Sequence, residues 1–250
     1  MKRMLFLSAL LVASGVAMAQ QDRIEADRPS ETVATQLVEK GRFQAELGFE
    51  RETDDESHTY HHPHTLLRYG LGKIIELRAE LWPQTVKDRF TEGSQTGLAP
   101  VEPGIKAKIC ESKGARPAIS FLTQVGIPKL ASEAFRNTYA SPRVRLLFEN
   151  KLNEDWKLTY NVGPEWTGED TEPQWRYTFS PEWKFGKHWE AFAEVYGHLQ
   201  HAHEPEHVFD AGLAFYPGRN IKLDLSGGVG LSHAAPQNFV ALGFSIRTGN

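Results

Sequence analysis

The chain has 250 residues, 40% hydrophobic and 24% charged, with a formal net charge of −4. That balance excludes a nucleic-acid binder, whose affinity comes from basic surface, and the single cysteine, Cys110, excludes an internal disulfide or a cysteine-built metal cluster. After residue 19 no apolar run is long enough for a membrane helix, but spanning strands hide their hydrophobicity in alternate positions and remain open.

Residues 1–19 read as an export leader. Lys2 and Arg3 form a positive start, Leu5 to Val16 is a short apolar run, and Ala17-Met18-Ala19 fits a small-x-small cleavage site before Gln20. The run falls short of the roughly 20 residues a spanning helix needs. No cysteine follows the cut, so a lipid anchor is not expected there. Without Lys2 and Arg3 the formal charge becomes −6. Residues 20–40 are polar and aperiodic, and read as an N-terminal arm that either plugs a lumen or lies in the periplasm. Asp27 and Arg28 are its candidate pins.

From residue 41 onward, twelve segments alternate apolar and polar residues. In the first, about Arg42 to Glu52, Phe43, Ala45, Leu47 and Phe49 oppose Gln44, Glu46, Gly48 and Glu50. A long charged loop is expected from Thr53 to Pro63. The second segment covers about His64 to Leu71, and Gly72-Lys73 makes a tight turn into a third, where Ile75, Leu77, Ala79 and Leu81 oppose Glu76, Arg78 and Glu80. A second long loop is expected from about Lys87 to Pro100. The fourth, about Val101 to Glu111, sets Ile105, Ala107 and Ile109 against Lys106 and Lys108. The fifth covers about Pro117 to Ile127, and a long Pro128-to-Ala140 loop follows it. In the sixth, Val144, Leu146 and Phe148 oppose Arg143, Arg145 and Glu149; in the seventh, Trp156, Leu158, Tyr160 and Val162 oppose Lys157, Thr159 and Asn161.

The eighth alternates most cleanly: Trp175, Tyr177, Phe179, Trp183 and Phe185 interleave with Arg176, Thr178, Ser180, Glu182 and Lys184. A charge at every second position cannot sit in a dry two-sided core. Pro181 argues against a central strand here. Segments nine to twelve run about Trp189–His198, Val208–Tyr216, Ile221–Leu231 and Asn238–Arg247. Short links follow even-numbered segments and longer ones follow odd-numbered segments. This is the rhythm of an antiparallel transmembrane β-barrel with short periplasmic turns and longer extracellular loops. Lipid permits such a sheet only if it closes on itself.

The strings Ala26-Asp27-Arg28-Pro29-Ser30-Glu31-Thr32 and Lys40-Gly41-Arg42-Phe43-Gln44-Ala45-Glu46-Leu47-Gly48-Phe49, with Leu67-Arg68-Tyr69-Gly70-Leu71, Tyr160-Asn161-Val162-Gly163 and Ala241-Leu242-Gly243-Phe244-Ser245-Ile246-Arg247, carry a resemblance. The chain resembles the bacterial outer-membrane "transporter" family named for a meta-pathway of phenol degradation. The resemblance covers nearly all of the mature chain. It implies an outer-membrane barrel that moves small hydrophobic or aromatic compounds. Such barrels often end on an aromatic residue. Here Thr248-Gly249-Asn250 follows the last strand, and Phe244 is the substitute.

The alternation collects Glu46, Arg68, Glu76, Arg78, Glu80, Lys106, Arg143, Arg145, Asn161, Arg176, Glu194, Asp210 and Asp224 on the inner face as pore-lining candidates. Mixed signs fit a network of paired charges that stiffens a closed lumen, or else a selective pore lining. Barrel size does not choose, since twelve strands lie between filled and open barrels. Histidines cluster in two expected outer loops: His58, His61, His62 and His64 in the first, and His198, His201, His203 and His207 in the ninth-to-tenth link. His58, His61, His62, His201, His203 and His207 are candidate ligands for Zn, Cu or Ni. Ser57-His58 and Ser232-His233 are adjacent pairs. Neighbours on a strand point to opposite faces, a poor geometry for a hydrolytic dyad.

The expected protein is therefore a passive outer-membrane channel for small, hydrophobic or aromatic solutes. The alternative is a closed structural or metal-binding barrel, with a soluble periplasmic β-sandwich a distant third. It is expected in the outer membrane of a Gram-negative bacterium. No enzyme activity and no cofactor are expected. The expected partners are outer-membrane lipid, a small solute, and the barrel-assembly and periplasmic chaperone machinery, with no nucleic acid.

Overall fold

The computed structural model describes residues 23–249; the expected leader, residues 1–19, lies outside them. Twelve antiparallel strands form one sheet closed on itself. They are β1 Phe43–Thr53, β2 Ser57–Gly70, β3 in two stretches Ile75–Leu81 and Pro83–Asp88, and β4 in two stretches Ser94–Leu98 and Glu102–Cys110. Then follow β5 Ala118–Gly126, β6 Ser141–Lys151, β7 Trp156–Glu165, β8 Gln174–Phe185, β9 Trp189–Leu199, β10 Glu206–Gly218, β11 Ile221–Gly230 and β12 Asn238–Arg247. Each strand pairs with its neighbours in sequence. β1 closes the ring by pairing with β2 on one side and β12 on the other. Among the described residues the ring itself has no free edge, the condition for a sheet in hydrocarbon; only the outer stretch Ser94–Leu98 of β4, laddered to β3 alone, has an unpaired side.

The polarity is inside-out. Glu46, Glu76, Lys106 and Ser245 have no exposed surface, whereas Leu242 is 58% and Phe49 56% exposed. Period-2 alternation places the charged set in the lumen and the greasy set outside. On the outer face Trp156, Trp183, Phe185, Trp189 and Phe215 form an unbroken run of ring contacts, with centroids 4.8–6.3 Å apart. All five lie at the short-turn ends of β7 to β10, as an interfacial girdle requires.

Two loop expectations are corrected. Ser57 to Pro63 is not loop. It extends β2, pairing with β1 from His58↔Thr53 to His61↔Glu50 and with β3 from Ser57↔Asp88 to His61↔Gln84. Lys87 and Asp88 continue β3, and β4 begins at Ser94, so the second outer loop shrinks to residues 89–93. These stretches are polar on both faces because they rise clear of the bilayer, where the ladder satisfies the backbone and no apolar face is required. The breaks within β3 and β4 occur at Trp82, before Pro83, and around Pro100. Proline lacks the donor that would carry a ladder through. Residues 127–140 form the long loop that was expected, with short 3₁₀ turns at Pro128–Leu130 and Glu133–Phe135. Pro181 is inside β8 after all. It pairs with Leu158 of β7, while the ladder to β9 runs Phe179↔Val195 and resumes at Glu182↔Phe192 without a change of register.

Candidate functional site

The site is the lumen together with the arm that occupies it. Residues 23–40 enter at the short-turn mouth, reach the middle of the barrel near Glu31, and return to the same mouth. At the start the Ile24 N–H donates to Arg219 O at 2.7 Å; at the end the Gly41 N–H donates to Gly70 O at 2.7 Å. Both partners lie at short turns. Two apolar contacts seat the arm: Ile24 against Ala214 and Tyr216, and Val33 against Leu122 and Leu147.

Charge does most of the rest. The Asp27 carboxylate lies 2.6 Å from Arg78, 3.4 Å from Lys106 and 3.5 Å from Arg68. Arg68 uses its whole planar fork: Nε and Nη2 each meet Glu76 at 2.9 Å, Nη1 meets Glu46 at 2.8 Å, and both Nη groups also donate to arm carbonyls, of Glu25 and Gln36. This bidentate geometry is one that only arginine supplies. Against the cost of burial, Arg68, Lys106 and Arg78 hold the Asp27 carboxyl far below the usual carboxylate range. Glu25, beside Lys157 and Lys184, is held at about 2 despite its burial.

Arg28 is placed by shape as well as charge. Gly48 of β1 and Gly243 of β12 are register partners, and both face the lumen. A Cβ at either would collide with the Arg28 guanidinium, which lies across this flat slot and meets Asp224 at 3.2 Å. The Arg28 N–H donates to Glu46 at 3.0 Å, and Lys222 donates to the Arg28 carbonyl. Further along, Thr32 bonds Thr178 at 2.7 Å and also Glu194. Asn161 brackets Val33, accepting from its N–H at 2.7 Å and donating to its carbonyl at 3.0 Å.

Cavities flank the arm on both sides. On the long-loop side is a vestibule of about 230 Å³, floored by Asp27 to Glu31 and walled by Trp82, His64, Arg143, Arg145 and Arg176. On the short-turn side a space of about 390 Å³ is lined by Arg23, Glu25, Lys184, His188, Tyr216 and Arg219. Between them lies a gap of about 20 Å³ beside Pro29 and Thr32, room for about one water.

The sequence-predicted residues therefore fall into groups. Glu46, Arg68, Glu76, Arg78 and Lys106 converge on Asp27, and Asp224 takes Arg28. Glu80, Arg143, Arg145 and Arg176 form a second cluster with Glu165 and Glu102. Asp210 stands buried beside Glu194, its register partner on β9.

Among the clustered histidines, His61 and His64 meet in the vestibule, both against Trp82; the metal candidates do not otherwise gather. His61 points inward, 3.8 Å from Glu50, while its neighbour His62 bonds Thr85 and His58 bonds Thr53. Since β2 is a strand there, adjacent imidazoles are sent to opposite faces. His201 and His203 stay in the β9–β10 link, but His207 is in β10 and meets the Tyr177 hydroxyl at 2.7 Å. Among the described residues no three His, Cys, Asp or Glu side chains are placed to hold a metal. Neither Ser–His pair is aimed at itself: the Ser232 hydroxyl accepts from the His207 N–H at 2.8 Å, and His58 is turned to Thr53.

Sequence reasoning missed Glu165, Trp82 and Glu31. Glu165 follows the same alternation as Lys157, Thr159 and Asn161 once β7 is extended. Trp82 continues the inward series Glu76, Arg78, Glu80, but a tryptophan among charges reads as outward. Glu31 had no periodicity to reveal it.

The family described as "Putative MetA-pathway of phenol degradation" matches residues 26–248. The chain belongs to this family. Comparison with curated proteins finds no match. Among solved structures, the barrel is similar to an outer membrane channel from Pseudomonas putida F1, with a TM-score of 0.70 and 10% identity, over 90% of this chain and 100% of that one. It is also similar to the KdgM porin, with a TM-score of 0.56 and 12% identity over 82% and 99% of the two chains. The NanC porin gives a TM-score of 0.56 and 6% identity over 82% and 98%. At such identities the likeness is one of fold: this family member is built as an outer-membrane β-barrel.

Proposed function

We propose that this family member is a passive outer-membrane channel for small solutes, hydrophobic and aromatic compounds among them, and that its N-terminal arm stoppers the conduction path. The observation that carries this reading is the arm between two cavities. A wall lined with charge encloses spaces of about 230 and 390 Å³, and a segment outside the strand ladder fills the middle. A purely structural barrel would not need a removable filling. The arm is held by side-chain contacts to the wall and by a few backbone hydrogen bonds near its ends, so it can leave without opening the sheet. The family's name supports aromatic compounds as the solute class, and the fold shared with an outer membrane channel and two porins supports passive conduction.

Deleting residues 20–31 tests the reading. In planar bilayers the truncated protein is expected to carry a several-fold larger single-channel current than the full mature chain. An unchanged current would favour the closed structural barrel.

A further inference from the structure

Three arginines converge on the outer side of the arm: Arg143 and Arg145 from β6 and Arg176 from β8, all lining the vestibule. The wall meets part of their charge. Glu165 lies 3.4 Å from Arg143, 3.0 Å from Arg145 and 3.7 Å from Arg176. Arg143 also reaches Glu80 at 3.5 Å and Glu102 at 3.4 Å. The Nε groups of Arg145 and Arg176 are buried without a hydrogen-bond partner among the described residues.

The remaining counter-charge is not part of the wall. It is Glu31, delivered by the arm and bonded to Arg176. Glu31 is the most open member of the cluster, its side chain 40% exposed against 11% for Arg176 and 4% for Arg145. Burial opposes its ionisation, yet Arg176, Arg145 and Arg143 hold its carboxyl below the usual range. The same cavity has a flat wall, Trp82 and His64, stacked with centroids 3.5 Å apart and planes 11° from parallel.

Resting on the channel reading above, we propose that this arginine cluster is a binding site for small organic carboxylates, aromatic acids fitting it best, and that Glu31 fills it as a tethered stand-in which the solute displaces. The physical basis is exchange of like for like. Buried arginines stripped of a counter-charge are strongly destabilising. An incoming carboxylate restores the pairing as Glu31 leaves, so the charge inside the barrel stays balanced. A neutral aromatic solute offers contact with Trp82 but cannot take over the ion pair. Because the Glu31 N–H also donates to Glu194 at 2.8 Å, and the adjacent Thr32 bonds the same carboxylate, displacement loosens the innermost turn of the arm. The solute that enters the vestibule thereby weakens the stopper.

Calorimetric titration of the mature protein in detergent tests this, with benzoate as the probe and benzyl alcohol as its neutral match. Benzoate is expected to bind, and benzyl alcohol at least tenfold more weakly. Glu31→Gln is expected to bind benzoate about tenfold more tightly, because a tethered competitor acts at a high effective concentration. Arg176→Gln is expected to abolish the benzoate heat. Equal binding of the two probes, no benzoate heat in either wild type or Glu31→Gln, or an unchanged benzoate affinity in Glu31→Gln overturns the proposal. Heat-modifiable migration on gels certifies that each variant is folded, and Glu31→Ala replaces Glu31→Gln if that variant is not. The channel reading fails separately: a truncated protein with unchanged current would refute conduction even if benzoate binds, and a conducting truncation that ignores benzoate would refute only the carboxylate site.

Discussion

Asp27 is the side chain on which the arm's position turns. It is the shared counter-ion of Arg68, Arg78 and Lys106, which stand on three different strands. Breaking a buried pair by removing one partner costs about 3–5 kcal/mol, chiefly from the charge left behind. Asp27→Ala is expected to release the arm rather than unfold the barrel, since β1 to β12 keep their ladders; limited proteolysis of residues 23–40 in the folded variant checks this. Arg28 is governed by space. Gly243→Val puts a branched side chain where the guanidinium and Asp224 now lie, and is expected to raise single-channel current toward that of the arm deletion. Acid should act in the same direction. Glu25 faces Lys157, Lys184, Arg23 and Lys222, Asp27 faces Arg68, Lys106 and Arg78, and Glu31 faces Arg176, Arg145, Arg143 and His198. All three carboxyls are held lower in the docked arm than in a free one, so their contribution to docking is complete above the free values, 4.5 for the two glutamates and 3.8 for Asp27. It is lost as the pH falls from there through about 2 for Glu25. Single-channel current is expected to climb between pH 5 and pH 3 and to return on neutralisation; a flat profile would mean these carboxylates do not hold the arm.

At the scale of the strand, alternation carried nearly all the information. Most charged inward positions from Glu46 to Asp224 could be named because a strand sends successive side chains to opposite faces; Glu102 and Glu165, near the outer ends of β4 and β7, were the exceptions. It failed where the strand leaves the bilayer. Ser57 to Pro63 is strand, yet its histidines and charges read as loop, because outside hydrocarbon neither face must be apolar and the period-2 signal disappears. His58, His61 and His62 are not brought together there, since a strand separates neighbouring imidazoles. Pro181 shows the converse: a residue that argues against a strand is accommodated because the ladder to β9 lapses beside it while the one to β7 continues. The lipid-facing set makes its own prediction. Leu242, 58% exposed on the outer face of β12, lies midway along its strand. Leu242→Arg is expected to destabilise the barrel by about 2–4 kcal/mol, measurable as a lower urea midpoint in vesicles.

For the whole molecule, closure is the governing feature. The β1–β2 and β1–β12 ladders close the ring, so the folded barrel is expected to resist detergent and run on gels differently before and after boiling. A single heat-insensitive band would contradict a closed barrel. The arm fills part of the lumen, where Ile24 and Val33 pack against wall residues.

From the amino-acid sequence alone came the strand number, the inner and outer faces, the closed transmembrane architecture and the candidacy of Asp27 and Arg28. These follow from a local repeat of two and from what lipid forbids, and both are readable a few residues at a time. Only the tertiary structure decided where the arm lies, which charges converge on it, and that Glu31, Glu165 and Trp82 share one vestibule. Those facts depend on side chains from strands far apart in the chain meeting across a lumen, and no periodicity along one strand records which residue stands opposite.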